Sequence, residues 1–452
     1  MKQWIAEHKP YIKTTLNVAW PAVLESFFVA LVGMVDSLMV SRLGTYAVAA
    51  VGLTTQPKFL GLALFIATNV SLSAITARRK GQGDRDGANR TMLSALIFIL
   101  LAVCVVSVVC VAFADPIIHL AGSKEDTHES AVAYFRIIMG GIVFSVISLA
   151  INAAQRGSGN TKIAMRTNLV SNLVNVIGNF LLIEGRFGFP ALGIQGAAIA
   201  TVIGTVVACV MSVASIFRKD SFINVGYILA NRLRATLADA RALFKLALSV
   251  FIEQILLRVG FMSVAVMAAN LGTQEYAAHQ VGMQVMSLSF AFGDGMQVAA
   301  VTLIGQSLGQ KLPDKAKRYG KICQRIGNVI SIVLSLLYLT CGRWLFHLFF
   351  PTDEYAVSIG IKIMQVMVLI VLLQVAQVIY MGCLRGAGDV KFTTMASTIS
   401  VTIIRPVVSY LCAYVFSMGV IGIWLGIVGD QVMRLILTSR RFGSGKWAKI
   451  EV

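Results

Sequence analysis

Long apolar runs broken by short polar loops dominate the chain. They recur about twelve times, at 14–41, 46–76, 92–115, 131–155, 164–184, 191–217, 244–269, 274–306, 326–350, 360–384, 392–417 and 420–438. Each approaches or exceeds the roughly 20 residues that carry a helix across a hydrocarbon core, and the longest require tilt or protrusion. The runs are continuous rather than alternating every second residue, which disfavours a β-barrel. Backbone groups in lipid must be paired within their own segment, which leaves helices.

The pattern is also duplicated. Leu43-Gly44-Thr45 followed by Ala49-Ala50 returns 228 positions later as Leu271-Gly272-Thr273 followed by Ala277-Ala278. The register continues, with Glu25 facing Glu253, Gly81 facing Gly309, Asp86 facing Asp314 and Arg90 facing Arg318. Arg156-Gly157-Ser158-Gly159 answers Arg385-Gly386-Ala387-Gly388, and Gly193-Ile194-Gln195-Gly196 answers Gly419-Val420-Ile421-Gly422. The predicted fold is therefore all-α and integral to the membrane, with about twelve transmembrane helices in two pseudo-symmetric six-helix lobes. Its boundaries are an amino-terminal lobe at 1–217, a cytoplasmic linker at 218–243 and a carboxy-terminal lobe at 244–452. A duplicated hydrophobic half is the pattern of a transporter that binds its cargo where the repeats meet.

Composition agrees: 57% of residues are hydrophobic and 13% charged, with a mean hydropathy of +0.78, against about 25% charged in soluble domains. The net charge of +18 would suit nucleic acid, but its distribution does not. Arg78, Arg79, Lys80, Arg85 and Arg90 share one loop region, Arg218, Lys219, Arg232, Arg234 and Arg241 another, and Lys311, Lys315, Lys317, Arg318 and Lys321 a third. The intervening loops, Gly122–Asp126 and Pro351–Glu354, carry little basic charge. About thirty of the 39 Lys and Arg fall on one side, as positive-inside sorting requires. This predicts the cell's inner membrane as the location, with both termini cytoplasmic, lipid as a partner and no nucleic acid. Glu25 and Asp36 interrupt the first run, and no small-residue cleavage site follows, so it reads as a retained span rather than a signal peptide.

Other chemistry is sparse. Seven scattered cysteines lack CxxC or histidine grammar and read as small packing residues. No phosphate loop of the GxxxxGK[ST] kind is present, which points to an ion gradient rather than ATP, and HExxH-like spacing is absent, so no enzyme is expected. In the linker, Arg232–Leu237 reads as either an amphipathic surface helix or a solvated connector.

Acids inside spans carry the most information, because each costs at least about 2–3 kcal/mol at the membrane centre and normally faces a cavity or a partner. Asp36, Glu25, Glu253 and Asp294 are such acids. Glu25 and Asp36 stand eleven residues apart, three turns plus about 20°, and so line one helical face. An acid in a poorly hydrated cavity can exchange a proton or a sodium ion near neutral pH. Asn175 and Asn179 share a face one turn apart, as Na⁺ ligands, as anchors for an acid, or as amide glue between helices. Arg258 is rotated about 140° from Glu253 and is no obvious partner, which leaves Glu253 to another helix or a ligand. Lys58, after Pro57, is placed to neutralise an acid, Arg405-Pro406 to anchor helix packing, and Asp294 to pair structurally or contact cargo. Phe27, Phe28, Met34, Phe59, Met262, Met283, Met286, Phe290 and Met296 suit either an adaptable recognition surface or ordinary core and lipid contact.

Pro21-Ala22, Gly33-Met34-Val35-Asp36, Leu43-Gly44-Thr45, the paired Arg156–Thr161 and Leu384–Asp389 motifs, Gly193 with Gly196–Thr201, and Gly305–Gly309 together resemble the multidrug and toxic compound extrusion (MATE) family over essentially the whole chain, nearest its NorM-like branch. The resemblance implies two six-helix lobes around a central cavity, and antiport of small organic, often cationic compounds against H⁺ or Na⁺ by alternating access. No cofactor is implied, and a monomer is expected. Asp36, Asn175, Asn179 and Thr201 match the family's amino-lobe cation site, with Asn179 standing where some relatives carry an aspartate. Glu253 matches a span-7 glutamate of the NorM-like branch, assigned to coupling and substrate binding. Gln374 replaces the branch's span-10 aspartate, and Gln377 follows one turn later. Gln hydrogen-bonds but releases no proton, so these two read as substrate contacts or as helix–helix bonds. With Met34, Met283, Met286 and Phe290 they complete the expected substrate surface. The alternatives are a lipid-linked saccharide flippase with the same two-lobe plan, which would need several cavity cations for a pyrophosphate, and, less favoured, a membrane-embedded enzyme.

Overall fold

The computed structural model describes residues 2–123, 125–218, 221–350 and 354–450. Lys124 and 351–353 of the two weakly charged loops, and Lys219 of the linker, lie outside the described residues. Among those described the chain is helical throughout, in sixteen α-helices with short 3₁₀ and π turns. By internal packing it forms two units, 27–248 and the pair 1–26 with 249–452. The sequence boundaries at 217/218 and 243/244 cut elsewhere. Two long helices, α1 (Lys2–Ser41) and α10 (Leu237–Ala269), each contribute to both units, and the linker belongs with the amino-terminal one.

The 27–248 unit adds α2 (Thr45–Gln82), α3 (Arg85–Ala112), α4 (Ala114–Leu120), α5 (Glu125–Gly140), α6 (Ile142–Gly157), α7 (Thr161–Leu182), α8 (Gly193–Ile216) and α9 (Val225–Ala230). Phe65, Leu72, Met92, Ile99, Phe135 and Met139 fill its core. The other unit adds α11 (Thr273–Gly309), α12 (Pro313–Phe349), α13 (Glu354–Gly386), α14 (Val390–Thr398), α15 (Arg405–Tyr410) and α16 (Gly419–Gly443), with π-helical turns at Ile399–Ile404 and Leu411–Val415. Trp424, Phe346, Met367 and Ile370 lie at its centre, joined by Val18 and Ala19 of α1. Pro406 has no N–H to give the carbonyl of Thr402, and the π turn precedes it where the regular ladder must break.

Among the described residues, nine of these helices are long and apolar enough to cross a membrane, the continuous stretch 390–415 of α14, α15 and their π turns is a tenth span, and α5 with α6 makes an eleventh, bent by 47°. The bend falls at Gly140-Gly141, where a Cβ on Gly141 would meet the Val202 side chain at 2.6 Å, so only glycine lets α6 approach α8. The twelfth apolar run of the sequence is α7. Its Asn168, Asn172, Asn175 and Asn179 recur at three- and four-residue spacing and make it more polar than the other spans. The result is an all-α integral membrane protein.

Of the two readings of Arg232–Leu237, the structure takes the connector, since 233–236 carry no helix and 234–237 are exposed. The helix lies earlier, at Val225–Ala230, and Arg232 turns the chain with φ 50°. A capping pair, Thr236 with Asp239, then starts α10. Polar bonds fasten the segment to the ends of α2 and α3: Arg79 to Asp239 at 2.6 Å, Arg85 to the carbonyls of Ser221 and Phe222 at 2.9 and 3.1 Å, and Tyr227 to Asp86 at 2.7 Å. These bonds, unreadable from local periodicity, hold the connector in place.

Candidate functional site

In the amino-terminal unit, α1, α2, α7 and α8 bring polar side chains together inside an apolar lobe. The interface of α7 with α8 is built from small and polar residues: Ser171 donates to the Gly204 carbonyl at 2.7 Å, and Gly178 sits against Ala200. On this face Asn175 Nδ2 donates to Thr201 Oγ1 at 3.0 Å, and Thr201 donates to the Ala197 carbonyl at 2.9 Å. One turn on, Asn179 Nδ2 donates to Asp36 Oδ1 at 2.7 Å. Asn179 is 1% exposed, and its Oδ1 meets no hydrogen-bond partner among the described residues. The four residues predicted for the amino-lobe cation site therefore fall into two bonded pairs, Asp36 with Asn179 and Asn175 with Thr201, one turn apart along α7. Thr201 also borders a cavity of about 100 Å³, whose polar lining is completed by Lys58, Ser145 and Thr205. Lys58 attracts Asp36 electrostatically and lies 5.9 Å from the Phe59 ring centroid.

The chemistry of this surface suits one monovalent charge. A single carboxylate is held by a neutral amide, and further hard oxygens belong to Asn179 and Thr201. No group of three His, Cys, Asp or Glu that could hold a metal occurs among the described residues.

The carboxy-lobe acid is placed differently. Glu253, on α10, is 1% exposed, and one terminal nitrogen of Arg385 on α13 donates to both its oxygens at 2.8 and 2.9 Å. Thr394 of α14 adds a 3.4 Å bond. The partner on another helix thus exists, and it is the arginine of the repeated Arg-Gly motif. Gln374 and Gln377 are 3% and 0% exposed. Neither nitrogen nor oxygen of Gln377, nor the oxygen of Gln374, has a hydrogen-bond partner among the described residues, so the helix–helix bonds considered for Gln377 are not formed.

The recognition candidates differ in burial within each unit. Met286 and Met296 are buried in the hydrophobic core of the carboxy-terminal unit, and Met283 packs against it. Phe290 and Met262 are exposed, at 41% and 61%. In the other unit, Met34 is half-buried and Phe27 meets Phe28 edge to face at 5.9 Å. Of the two readings, Met286 and Met296 take the core one, because helical spacing alone does not separate a core face from a cavity face. Glu25 is buried, and Asp294 is half-buried with a partner.

The MatE family model matches residues 21–181 and again residues 249–411. The chain belongs to the MatE family. The two matches begin 228 positions apart, the same offset as the internal repeat. Among curated relatives, a probable multidrug resistance protein NorM of Thermotoga maritima is 26% identical over 450 residues, covering 97% of this chain and 93% of its own. An uncharacterized transporter, YisQ of Bacillus subtilis, is also 26% identical, covering 97% and 96%. An outward-facing multidrug resistance MATE family transporter of the MOP superfamily superposes with a TM-score of 0.89 at 19% identity, over 96% of this chain and 97% of that one, and so shares the fold.

Sequence reasoning missed a second buried charge cluster in this MatE protein. Asp430 of α16, fully buried, accepts from Arg434 Nε at 2.7 Å and from Arg405, whose Nε lies 2.8 Å away. Arg405 also stands over the Phe261 ring at 4.7 Å. Gly426 lets α16 approach, since a Cβ there would lie 2.8 Å from the Arg405 carbonyl. Asp430 lies inside the last apolar run, so the argument that singles out Asp36 also finds it. Arg385 carries no such signal, because its partner lies 132 residues away in sequence.

Proposed function

We propose that this MatE-family protein is a secondary active exporter that moves small organic, often cationic compounds out of the cell in exchange for H⁺ or Na⁺ by alternating access. It would work as a monomer in the inner membrane with both termini cytoplasmic, without a cofactor and without catalysing a chemical conversion. The single observation that carries the coupling is the Asp36 carboxylate, held in the amino-terminal unit by the Asn179 amide, one turn along α7 from the Asn175–Thr201 pair. An intramembrane acid on such a surface binds one cation at a time, and exchange of that cation across two conformations drives antiport. The names of the NorM relatives support organic cargo, the repeat supports alternating access, and the loop charge asymmetry supports the orientation.

Proteoliposomes loaded with an organic cation should release it under an imposed pH or Na⁺ gradient. Asp36→Asn should cut gradient-driven efflux at least about 100-fold, while expression and melting temperature match wild type, because the amide keeps size and hydrogen bonding but loses the exchangeable charge. Efflux of Asp36→Asn at the wild-type rate would overturn the coupling site. Translocation of a lipid-linked saccharide without gradient-driven drug efflux would instead favour the flippase.

A further inference from the structure

Where the linker enters α10, the amino-terminal unit carries cations that its own acids do not meet. Among the described residues, the acids at this end are already engaged: Asp239 with Arg79 at 2.6 Å and Arg90 at 3.8 Å, Asp86 with Tyr227 at 2.7 Å, and Asp84 with the Gly87 backbone N–H at 2.7 Å. Arg232, Arg234, Arg241 and Lys245 are exposed, and their side chains make no hydrogen bond or ion pair among the described residues. Two of these cations share a helical face with large apolar side chains. Leu237, Arg241, Phe244, Lys245 and Leu248 fall within about 100° of the α10 circumference. All five are exposed, Leu237 by 78%, while Leu243 and Ala247, turned the other way, are buried.

Helix length sets the depth of this face. Residues 246–269 of α10 span about 36 Å, enough to cross a hydrocarbon core of about 30 Å, so 237–245 lie beyond it, at the level of the headgroups.

We propose that this face of α10, with the connector arginines that lead into it, binds anionic phospholipid headgroups of the leaflet it meets. Leu237 and Phe244 enter the boundary between headgroups and acyl chains, and the neighbouring cations reach the phosphates from the same stretch of helix. Guanidinium groups match phosphate geometrically, and four cations without an opposing acid favour a lipid with net negative charge over a zwitterionic one. A soluble acidic partner could meet the charges but not the apolar side chains, which lie at the depth of lipid. The carboxy-terminal unit provides a contrast. Lys317, Arg318 and Lys321 of α12 are also exposed, yet no large apolar side chain of that helix is exposed before Val329. The linker segment is thus held by Arg79, Arg85 and Tyr227 on the side of α2 and α3, and by lipid on its free face.

The test is the association of spin-labelled phosphatidylglycerol and spin-labelled phosphatidylcholine with the purified full-length protein in phosphatidylcholine liposomes, read by electron paramagnetic resonance. Wild type should prefer phosphatidylglycerol at least about threefold, and high salt should weaken the preference. Arg232→Gln, Arg234→Gln, Arg241→Gln and Lys245→Gln combined should remove most of it, whereas lysine at the three arginine positions should keep it. Leu237→Gln should weaken it about twofold, because the headgroup contact loses its apolar anchor. The triple variant Lys317→Gln, Arg318→Gln and Lys321→Gln should cost far less. A wild type without the preference would overturn the proposal, as would a fourfold variant that melts like wild type and keeps it, or an equal loss from the α12 triple. If the fourfold variant does not fold, Arg232→Gln with Arg234→Gln, confined to exposed side chains of the connector, carries the same test, and an unchanged preference there overturns the proposal. Loss of the preference in millimolar inorganic phosphate would mark a free-anion site and overturn the lipid. None of these readings needs transport, so loss of efflux would sink the exporter reading alone.

Discussion

Asp36 and Glu253 are both acids inside membrane helices, yet their surroundings give them opposite freedoms. Asp36 is half-buried and held by a neutral amide at 2.7 Å. Glu253 is 1% exposed, with a guanidinium nitrogen on both oxygens and a threonine hydroxyl behind it. Removing either partner of a carboxylate–arginine pair in a dry interior strands the other's charge, whereas an amide holds a carboxylate without bringing a charge of its own. Intramembrane position therefore marks an acid as important, and its partner decides whether it exchanges or locks. In this structure the amino-terminal acid is held by an amide and the carboxy-terminal one by an arginine.

The largest effect expected from this contrast is on stability. Arg385→Met should cost about 3–5 kcal/mol, because it leaves the Glu253 charge buried without its main partner. Glu253→Gln combined with Arg385→Met should recover most of that loss, since no uncompensated charge remains. Thermal melting of the two variants in one detergent provides the check. If Arg385→Met melts like wild type, Glu253 is not locked and the contrast with Asp36 fails.

How far this was legible in the sequence differs between the two acids. Asp36, Asn175, Asn179 and Thr201 can be grouped because one-turn spacing puts the asparagines on one face and the family resemblance supplies the rest. The Glu253–Arg385 pair depends on how α10 meets α13, which no periodicity encodes. The helical spans are legible for the same reason that lipid is a simple solvent: an apolar run of sufficient length has few alternatives. Even so, α7 shows the limit, because its asparagine stripe makes it the least apolar span and also the one that builds the site. The sequence leaves the linker between a surface helix and a connector for a different cause. Its backbone is set by Arg79, Arg85 and Asp86 reaching over from other helices, and the capping pair of Thr236 and Asp239 moves the helix start to Leu237.

A mid-sized effect should sharpen the amino-terminal side of the comparison. Asn179→Asp places a second carboxylate beside Asp36 in place of a neutral amide. Asp36-dependent Na⁺ binding should rise at least about tenfold, equivalent to about 1.4 kcal/mol. Binding of ²²Na⁺ to the purified protein in nanodiscs reads it directly. Unchanged binding would mean that position 179 does not face the ion.

The smallest effect concerns Gln377, which neither exchanges nor locks. Its amide is fully buried, and both its oxygen and its nitrogen lack partners among the described residues, an arrangement that costs desolvation without return. If the amide exists to meet cargo, replacing it with leucine removes that cost and the contact together. Gln377→Leu should therefore leave stability within about 1 kcal/mol of wild type, on the stabilising side. It should also weaken the affinity for an organic cation by several-fold, about the weight of one hydrogen bond. Melting temperature and equilibrium substrate binding must be read on the same sample, because the two explanations of the residue part only there. A fall in melting temperature as large as that of Arg385→Met would show that the amide bonds a neighbouring helix. Unchanged substrate affinity with raised stability would remove Gln377 from the binding surface, leaving the carboxy-terminal unit with a locked acid and no polar contact of its own at this position.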